Sequence, residues 1–222
     1  AAEGGRSGTN TGTERTVIQR LSVLASLLCV AASPALAAEH TSVFGIKLDV
    51  PADWLVISAK EAKDNADLIE GNLRTAGGEA ARFSDQVMQA IRAGNMEMFV
   101  RQTDGDAAFN DNVNLTKHFG RLPAEGEELQ RLCAAIPEEF ARAFGHPAAV
   151  IRCEFAKVGA LPALLLEFDG ALVGTRSVQY QIQLTPATVV GVTLTSNLAT
   201  LPQTRPQFEQ MIASIRPVAP AD

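Results

Sequence analysis

The sequence predicts an α+β domain, an antiparallel β-sheet flanked by helices in an α/β/α sandwich, formed as a single domain over residues 38–222. Three observations predict it. The last third of the chain holds four runs of strand period joined by short turn-rich links, the pattern of consecutive antiparallel strands. Helical stripes interrupt the strand runs in the first half, and an amphipathic helix closes the chain. A basic, then apolar, then small-residue segment at 15–37 stands apart from all of this and has the form of a secretory signal peptide.

In that segment Arg15 and Arg20 supply the basic region, and Leu21 to Ala32 supply an apolar run. The run is about 12 residues, short of the roughly 20 that cross a bilayer. Ala35 and Ala37 are the small residues a signal peptidase reads, so cleavage is expected between Ala37 and Ala38. Cys29 would suggest a lipoprotein, but Leu28 precedes it where a small residue is wanted. Residues 1–14 are rich in Gly, Ser and Thr without apolar period. They are expected to be a non-native or disordered extension, with translation starting near Val17.

The elements of the domain follow in order. Ile46, Leu48 and Val50 alternate with Lys47 and Asp49 as a half-buried strand. Pro51 to Asp53 turn the chain into a short strand, Trp54–Ile57. Ser58 and Glu61 have the spacing of a capping box, opening a helix with Ala62, Ala66, Ile69 and Leu73 on one stripe. After Gly77 and Gly78, a second helix aligns Ala80, Phe83, Val87 and Ile91 and ends at Gly94. Met96–Gln102 and the Val113, Leu115 pair read as strands on either side of a polar loop. Pro123 is expected to open a longer helix with Leu129, Leu132, Cys133, Ile136 and Phe140 inward and a kink at Pro137. Then come the four strands. Ile151, Cys153 and Phe155 share a face of the first, and Leu164, Leu166 and Phe168 a face of the second. Val178, Tyr180, Ile182 and Leu184 alternate with Gln179, Gln181 and Gln183 in the third. Val190, Val192 and Leu194 alternate with Gly191, Thr193 and Thr195 in the fourth. A helix started by Pro206, carrying Phe208, Met211, Ile212 and Ile215, completes the chain.

The formal net charge is −6, with the charges scattered. Nucleic acids and anionic membrane surfaces both need a basic footprint, so neither is an expected partner. One Trp and one Tyr leave little with which to stack bases or sugars. After cleavage no stable membrane insertion is expected, and the place of work is periplasmic or secreted. Two cysteines, Cys133 and Cys153, remain in that oxidising compartment and could form a disulfide. Both should lie at similar height and face inward. A helix packed about 10 Å from a sheet, however, stands too far off for Cα atoms that a disulfide wants within about 7 Å. Two buried thiols are therefore the favoured reading.

The opening Phe44-Gly-Ile-x-Leu-x-Val-Pro-x-x-Trp54, the link Val158-Gly-x-Leu-Pro-Ala163, the Gln-rich hairpin and the closing Phe208-x-x-Met-Ile-x-Ser214-Ile together resemble the PsbP/DcrB-like (Mog-like) superfamily over most of residues 43–216. The resemblance implies the α/β/α sandwich and an exported bacterial protein. It implies no chemistry, since many members are envelope proteins without known activity.

The search for catalytic motifs finds none: no Gly-x-Ser-x-Gly, His-Glu-x-x-His, Cys-x-x-Cys, Walker or Gly-x-Gly-x-x-Gly pattern occurs. The three histidines are isolated, with His40 in what reads as a frayed terminus, His118 on a strand and His146 in a turn. Asp104, Asp106 and Asp111, with Asn110 and Asn112, gather oxygen ligands of the kind calcium takes, but Ala108 and Phe109 break the EF-hand spacing. They are weak metal candidates and a solvated turn is favoured. Asn114-Leu-Thr116 matches a glycosylation triplet, which short chance matches also produce. The remaining candidate is a polar sheet face formed by Gln179, Gln181, Gln183, Thr193 and Thr195, able to hydrogen-bond a ligand or simply meet water. The expected function is therefore a non-catalytic exported protein without cofactor, acting on an envelope protein partner. The alternative is a small-molecule or lipid carrier with a pocket between the sheet and the Ser58–Gly94 helices.

Overall fold

The computed structural model describes residues 37–64, 79–103 and 109–218, leaving the side chain of Asp64 and those of residues 79–84 undescribed. The signal segment, the stripe positions Ala66, Ile69 and Leu73, and the metal candidates Asp104 and Asp106 lie outside the described residues. Ten strands and four helices are described: β1 (Ala38–Thr41), β2 (Ile46–Val50), β3 (Trp54–Ile57), α1 (Ala59–Asp64), α2 (Glu79–Arg92), β4 (Met96–Arg101), β5 (Asn112–Phe119), α3 (Gly126–Phe144), β6 (Val150–Val158), β7 (Leu161–Asp169), β8 (Thr175–Thr185), β9 (Thr188–Asn197), α4 (Leu201–Ala213) and β10 (Arg216–Pro217).

Seven strands form one sheet in the order β3-β4-β5-β9-β8-β7-β6, every neighbouring pair antiparallel. Strands β1, β2 and β10 form a second, three-stranded sheet. The sandwich expected from sequence is the fold observed. The separate small sheet has no local sequence signal, because β10 is two residues long and carries no period.

One face of the large sheet is the main core. Phe99, Val113, Leu115, Val192, Leu194, Val178, Ile182 and Leu165 project from it onto Phe208, Met211 and Ile212 of α4 and Ile46 and Leu48 of β2. Each such side chain, removed from water, contributes about 1.5–3 kcal/mol. At the margin of this core Trp54 is buried and its indole N–H donates to Gln207 Oε1 at 3.0 Å, which ties the start of β3 to α4. A second, smaller cluster lies on the opposite face at one end of the sheet, where Ala62, Val87, Met88 and Ile91 of α1 and α2 cover Ile57 and Met98.

Four readings are corrected. His40 is not in a frayed end: it sits in β1, Nε2 3.1 Å from Glu97 Oε2, with its ring edge-on to Phe99. Helix α3 begins at Gly126 rather than Pro123, its start secured by Glu128, which accepts the Ala124 amide at 2.8 Å. It runs through Pro137 to Gly145, which ends it at φ 80°, a conformation that favours glycine. Helix α4 begins at Leu201 with Pro202 in its first turn, so Pro206 is internal. Finally, Cys133 and Cys153 are joined in a disulfide with Cα atoms 5.9 Å apart, not two free thiols. The 10 Å spacing is that of a helix centred over a sheet. Cys153 stands on the edge strand β6, where α3 need not sit over the middle of the sheet, and the two Cα atoms come within disulfide reach.

Candidate functional site

The far face of the large sheet changes character across its width, and strand register shows how. One cross-strand row reads Ile57, Met98, Asn114, Thr193, Gln179, Leu166, Cys153. The next reads Leu55, Val100, Asn112, Thr195, Ser177, Phe168, Val150. The third reads Met96, Thr116, Gly191, Gln181, Leu164, Phe155. Each row is apolar at both ends and polar or small in the middle. The apolar end on β3 and β4 carries α1 and α2. The apolar end on β6 and β7 carries α3, held by the disulfide and by Phe140, whose ring meets Phe168 edge-on at 5.8 Å. Between them β5, β9 and β8 form the floor of a trench, with no helix over it among the described residues.

The floor is a partly used hydrogen-bond network. Gln179 Nε2 donates to Thr193 Oγ1 at 2.9 Å, and Gln181 Nε2 donates to Gln179 Oε1 at 3.2 Å. Ser177 and Thr195 hydroxyls lie 3.4 Å apart. Thr116 Oγ1 is 3.0 Å from His118 Nε2 on an exposed part of β5. Gln181 Oε1 and the Asn114 amide have no hydrogen-bond partner among the described residues. Gly191 leaves a notch: a Cβ there would stand 3.1 Å from Thr116 Oγ1. On the floor strands β5, β9 and β8, His118 is the one ionisable side chain of this face among the described residues, so the floor is essentially neutral.

Against the trench lies a cleft of about 440 Å³ between α3 and strands β7 and β8. Leu132, Ile136, Phe140, Leu166 and Phe168 make its walls, the exposed Glu139, paired with Arg142, stands beside them, and Gln179 and Gln181 stand where it meets the trench. Helix α3 buries only Leu129 and Phe140 fully, so much of its inner face is available to this cleft.

The predicted polar face is thus found with Gln179, Gln181, Thr193 and Thr195 together. Gln183 has a different job. Its Oε1 accepts the Leu122 amide at 2.6 Å, and its Nε2 donates to the carbonyls of Gly120, Thr185 and Thr188, at 2.6–3.2 Å. It fastens the loop before α3 to the β8–β9 hairpin. Asp111 is likewise structural and not a solvated ligand. It is buried, and its carboxylate accepts the Asn197 amide at 3.1 Å and the hydroxyls of Thr200 and Thr204 at 2.8 and 2.5 Å. His146 Nε2 lies 3.1 Å from the Ala171 carbonyl, in the turn expected for it. Among the described residues no group of three or more His, Cys, Asp or Glu side chains could hold a metal ion, and no helix is long and apolar enough to cross a membrane.

Two buried acids escaped the motif search. Burial raises the Glu97 pKa, but His40, the Val43 amide and Ser42 outweigh it and hold the carboxyl below the ordinary range. Burial likewise opposes ionisation of Glu167, and Arg205 with Arg176 overcomes it. Both sit on the core face, away from the trench. The available signal was a lone acid inside an apolar strand, Met96-Glu-Met-Phe and Leu164-Leu-Leu-Glu.

No protein-family model and no curated protein sequence matches the chain. Among solved structures it is similar to PsbP of the cyanobacterium Synechocystis sp. PCC 6803, at TM-score 0.51 and 10% identity, over 85% of this chain and 96% of that one. It also aligns with the Ran-binding protein Mog1p of Saccharomyces cerevisiae, at TM-score 0.46 and 11% identity over 82% and 96% of the two chains. LpqN of Mycobacterium tuberculosis, involved in cell envelope biogenesis, aligns at TM-score 0.46 and 12% identity over 85% and 88%. The first of these likenesses establishes the fold: the chain has the PsbP-like sandwich that its packing motifs resemble.

Proposed function

We propose that the protein is an exported, non-catalytic interaction module that receives a protein partner on the trench floored by β5, β9 and β8. One observation carries this reading. Three successive cross-strand rows switch from apolar to polar and back, so the sheet is covered at its ends and carries no helix over its middle among the described residues, where Ser177 and Thr193 are buried between their neighbours and Asn114, Gln179, Gln181 and Thr195 are half-buried. A face meant only to meet water would favour charged side chains, whereas this one presents neutral amides and hydroxyls with hydrogen-bonding capacity to spare. Export is supported by the segment at 15–37, and cleavage before Ala38 would leave every described strand intact, since β1 begins there.

The test is photo-crosslinking from a benzoylphenylalanine placed at Gln181, with Glu209 on the exposed side of α4 as control site. A reproducible protein adduct from position 181 and none from 209 is expected in the intact envelope. Equal labelling from both would refute the trench as the interaction surface. Export itself is read by fractionation, and a chain retained in the cytoplasm with Ala37 and Ala38 still joined would refute it.

The second reading, a small-molecule or lipid carrier, is favoured by the apolar cleft. The expected place, between the sheet and the Ser58–Gly94 helices, lies largely outside the described residues; the cleft described lies under α3, at the other end of the sheet. Native mass spectrometry of freshly purified protein separates the readings, because a carrier retains ligand.

A further inference from the structure

We infer that the trench takes an extended, uncharged peptide segment of a partner protein running along β8, with one bulky apolar side chain seated in the cleft beneath α3. This rests on the interaction reading above and specifies its ligand.

Width is the first argument. The flanking helices ride on the outer two strands at each end, so their axes are about five strand spacings apart, roughly 24 Å. Subtracting one helix diameter of about 10 Å leaves about 14 Å between the described helices, room for a single extended chain. Spacing is the second. Gln179 and Gln181 recur every second residue of β8, about 6.6 Å, which is the repeat of main-chain groups along one edge of an extended peptide. Each carboxamide offers both a donor and an acceptor, as a peptide group does. Each glutamine Nε2 keeps a second hydrogen beyond the bond it makes, and Gln181 Oε1 and Asn114 are free among the described residues. A helix is a poorer occupant, because its own main-chain groups are already paired.

Charge is the third argument. A neutral floor on an acidic chain neither attracts phosphates nor compensates a buried carboxylate or ammonium on the ligand, and Glu139 beside the cleft is already paired with Arg142. The floor residues of the three rows include no aromatic ring on which a sugar or base would stack. The cleft supplies the anchor. Gln179 and Gln181 border it, so a residue whose main chain pairs with them can drop its side chain between Phe140, Ile136, Leu166 and Phe168. Ala135 and Ala143 line the same cleft from exposed positions of α3, and their small size keeps it open.

The test pans a phage-displayed random dodecapeptide library on the immobilised full chain. The selected peptide is then synthesised, N-acetylated and C-amidated, and titrated by NMR. Selected sequences are expected to share one Phe, Leu or Ile, few charges and no helical period, and to shift the side-chain amides of Gln179 and Gln181. Ala143→Arg fills the cleft from an exposed helical site where arginine is nearly as favourable as alanine, and should weaken binding at least tenfold. Gln181→Ala should weaken it about three- to tenfold. Failure to enrich any peptide, enrichment of charged or helical ones, or binding indifferent to Ala143→Arg overturns the inference. Retention of lipid by native mass spectrometry, released by Ala143→Arg, overturns it in favour of the carrier. A partner crosslinked from Gln181 but indifferent to Ala143→Arg overturns the peptide mode while leaving the interaction reading standing.

Discussion

Removing the Cys133–Cys153 disulfide should loosen α3 before it loosens anything else. The bond closes a loop with a sequence separation of 20 residues. On the chain-entropy model a loop of that size restricts the unfolded state by about 3 kcal/mol. For a domain of this size each kcal/mol moves the melting temperature about 2–4 °C, so the Cys133→Ser/Cys153→Ser variant should melt roughly 6–12 °C below the oxidised protein. The native-state effect is local. Of the helix's 19 residues only Leu129 and Phe140 are buried, whereas α4 buries Thr204, Phe208, Met211 and Ile212 in 13. Hydrogen exchange followed by NMR should therefore show amides of α3 opening at low free energy in the variant while those of α4 stay protected. Circular dichroism melts of the oxidised protein, the double serine variant and the reduced protein measure the global part. A shift under 2 °C, or loss of protection spread equally over α3 and α4, would refute the reasoning that the bond, rather than packing, holds this helix to the sheet.

Other outcomes follow from the buried polar groups. Glu97 has its pKa held below the unfolded value, so its contribution is fully present above pH 4.5 and fades as pH falls through the folded pKa. Glu97→Gln should flatten that acid limb in urea titrations run between about pH 5 and 3, and an unchanged limb would remove Glu97 from the account. Asp111→Asn leaves one acceptor oxygen to serve the Asn197 amide and two hydroxyls, and should cost about 1–3 kcal/mol by chemical denaturation. Gln183→Ala orphans the Leu122 amide and should cost a similar amount, about 1–3 kcal/mol, while leaving peptide binding on the trench unaltered. A loss of binding there would show that Gln183 belongs to the floor.

Strand by strand, the large sheet was legible because its signal is local. Val178, Tyr180 and Ile182 alternating with glutamines need no knowledge of their neighbours to be read as a two-faced strand. The same locality explains the failures. His40 looked frayed because its partner Glu97 lies 57 residues on, and β10 is too short to show a period. An average helix-to-sheet distance argues against the disulfide, while the true approach depends on β6 being an edge strand, which strand order alone decides. Asp111 read as a loop acid because its hydroxyl partners Thr200 and Thr204 are about ninety residues away.

The trench shows the limit most clearly. Each strand alone displays polar residues on one face, which is what a solvated sheet would also display. Register adds the other dimension. Asn114 opposite Thr193, Thr193 opposite Gln179 and Gln179 opposite Leu166 put the polar residues of β5, β9 and β8 side by side and the leucines of β7 beyond them. Pairing register is a long-range property, decided by which core faces match, and a shift of one residue would send Gln179 and Gln181 into the core against Phe208. The apolar positions Val178 and Ile182 therefore position the amides. Their burial fixes the register, and the register builds the stripe. Val178→Ser would test this coupling, since it weakens the core side of β8 without touching the trench. Stability should fall by about 1–3 kcal/mol while the folded fraction keeps its Gln179 to Thr193 contact, read as an NMR cross-strand distance. Loss of that contact in protein that remains folded would show that the trench residues, and not the core, set the register.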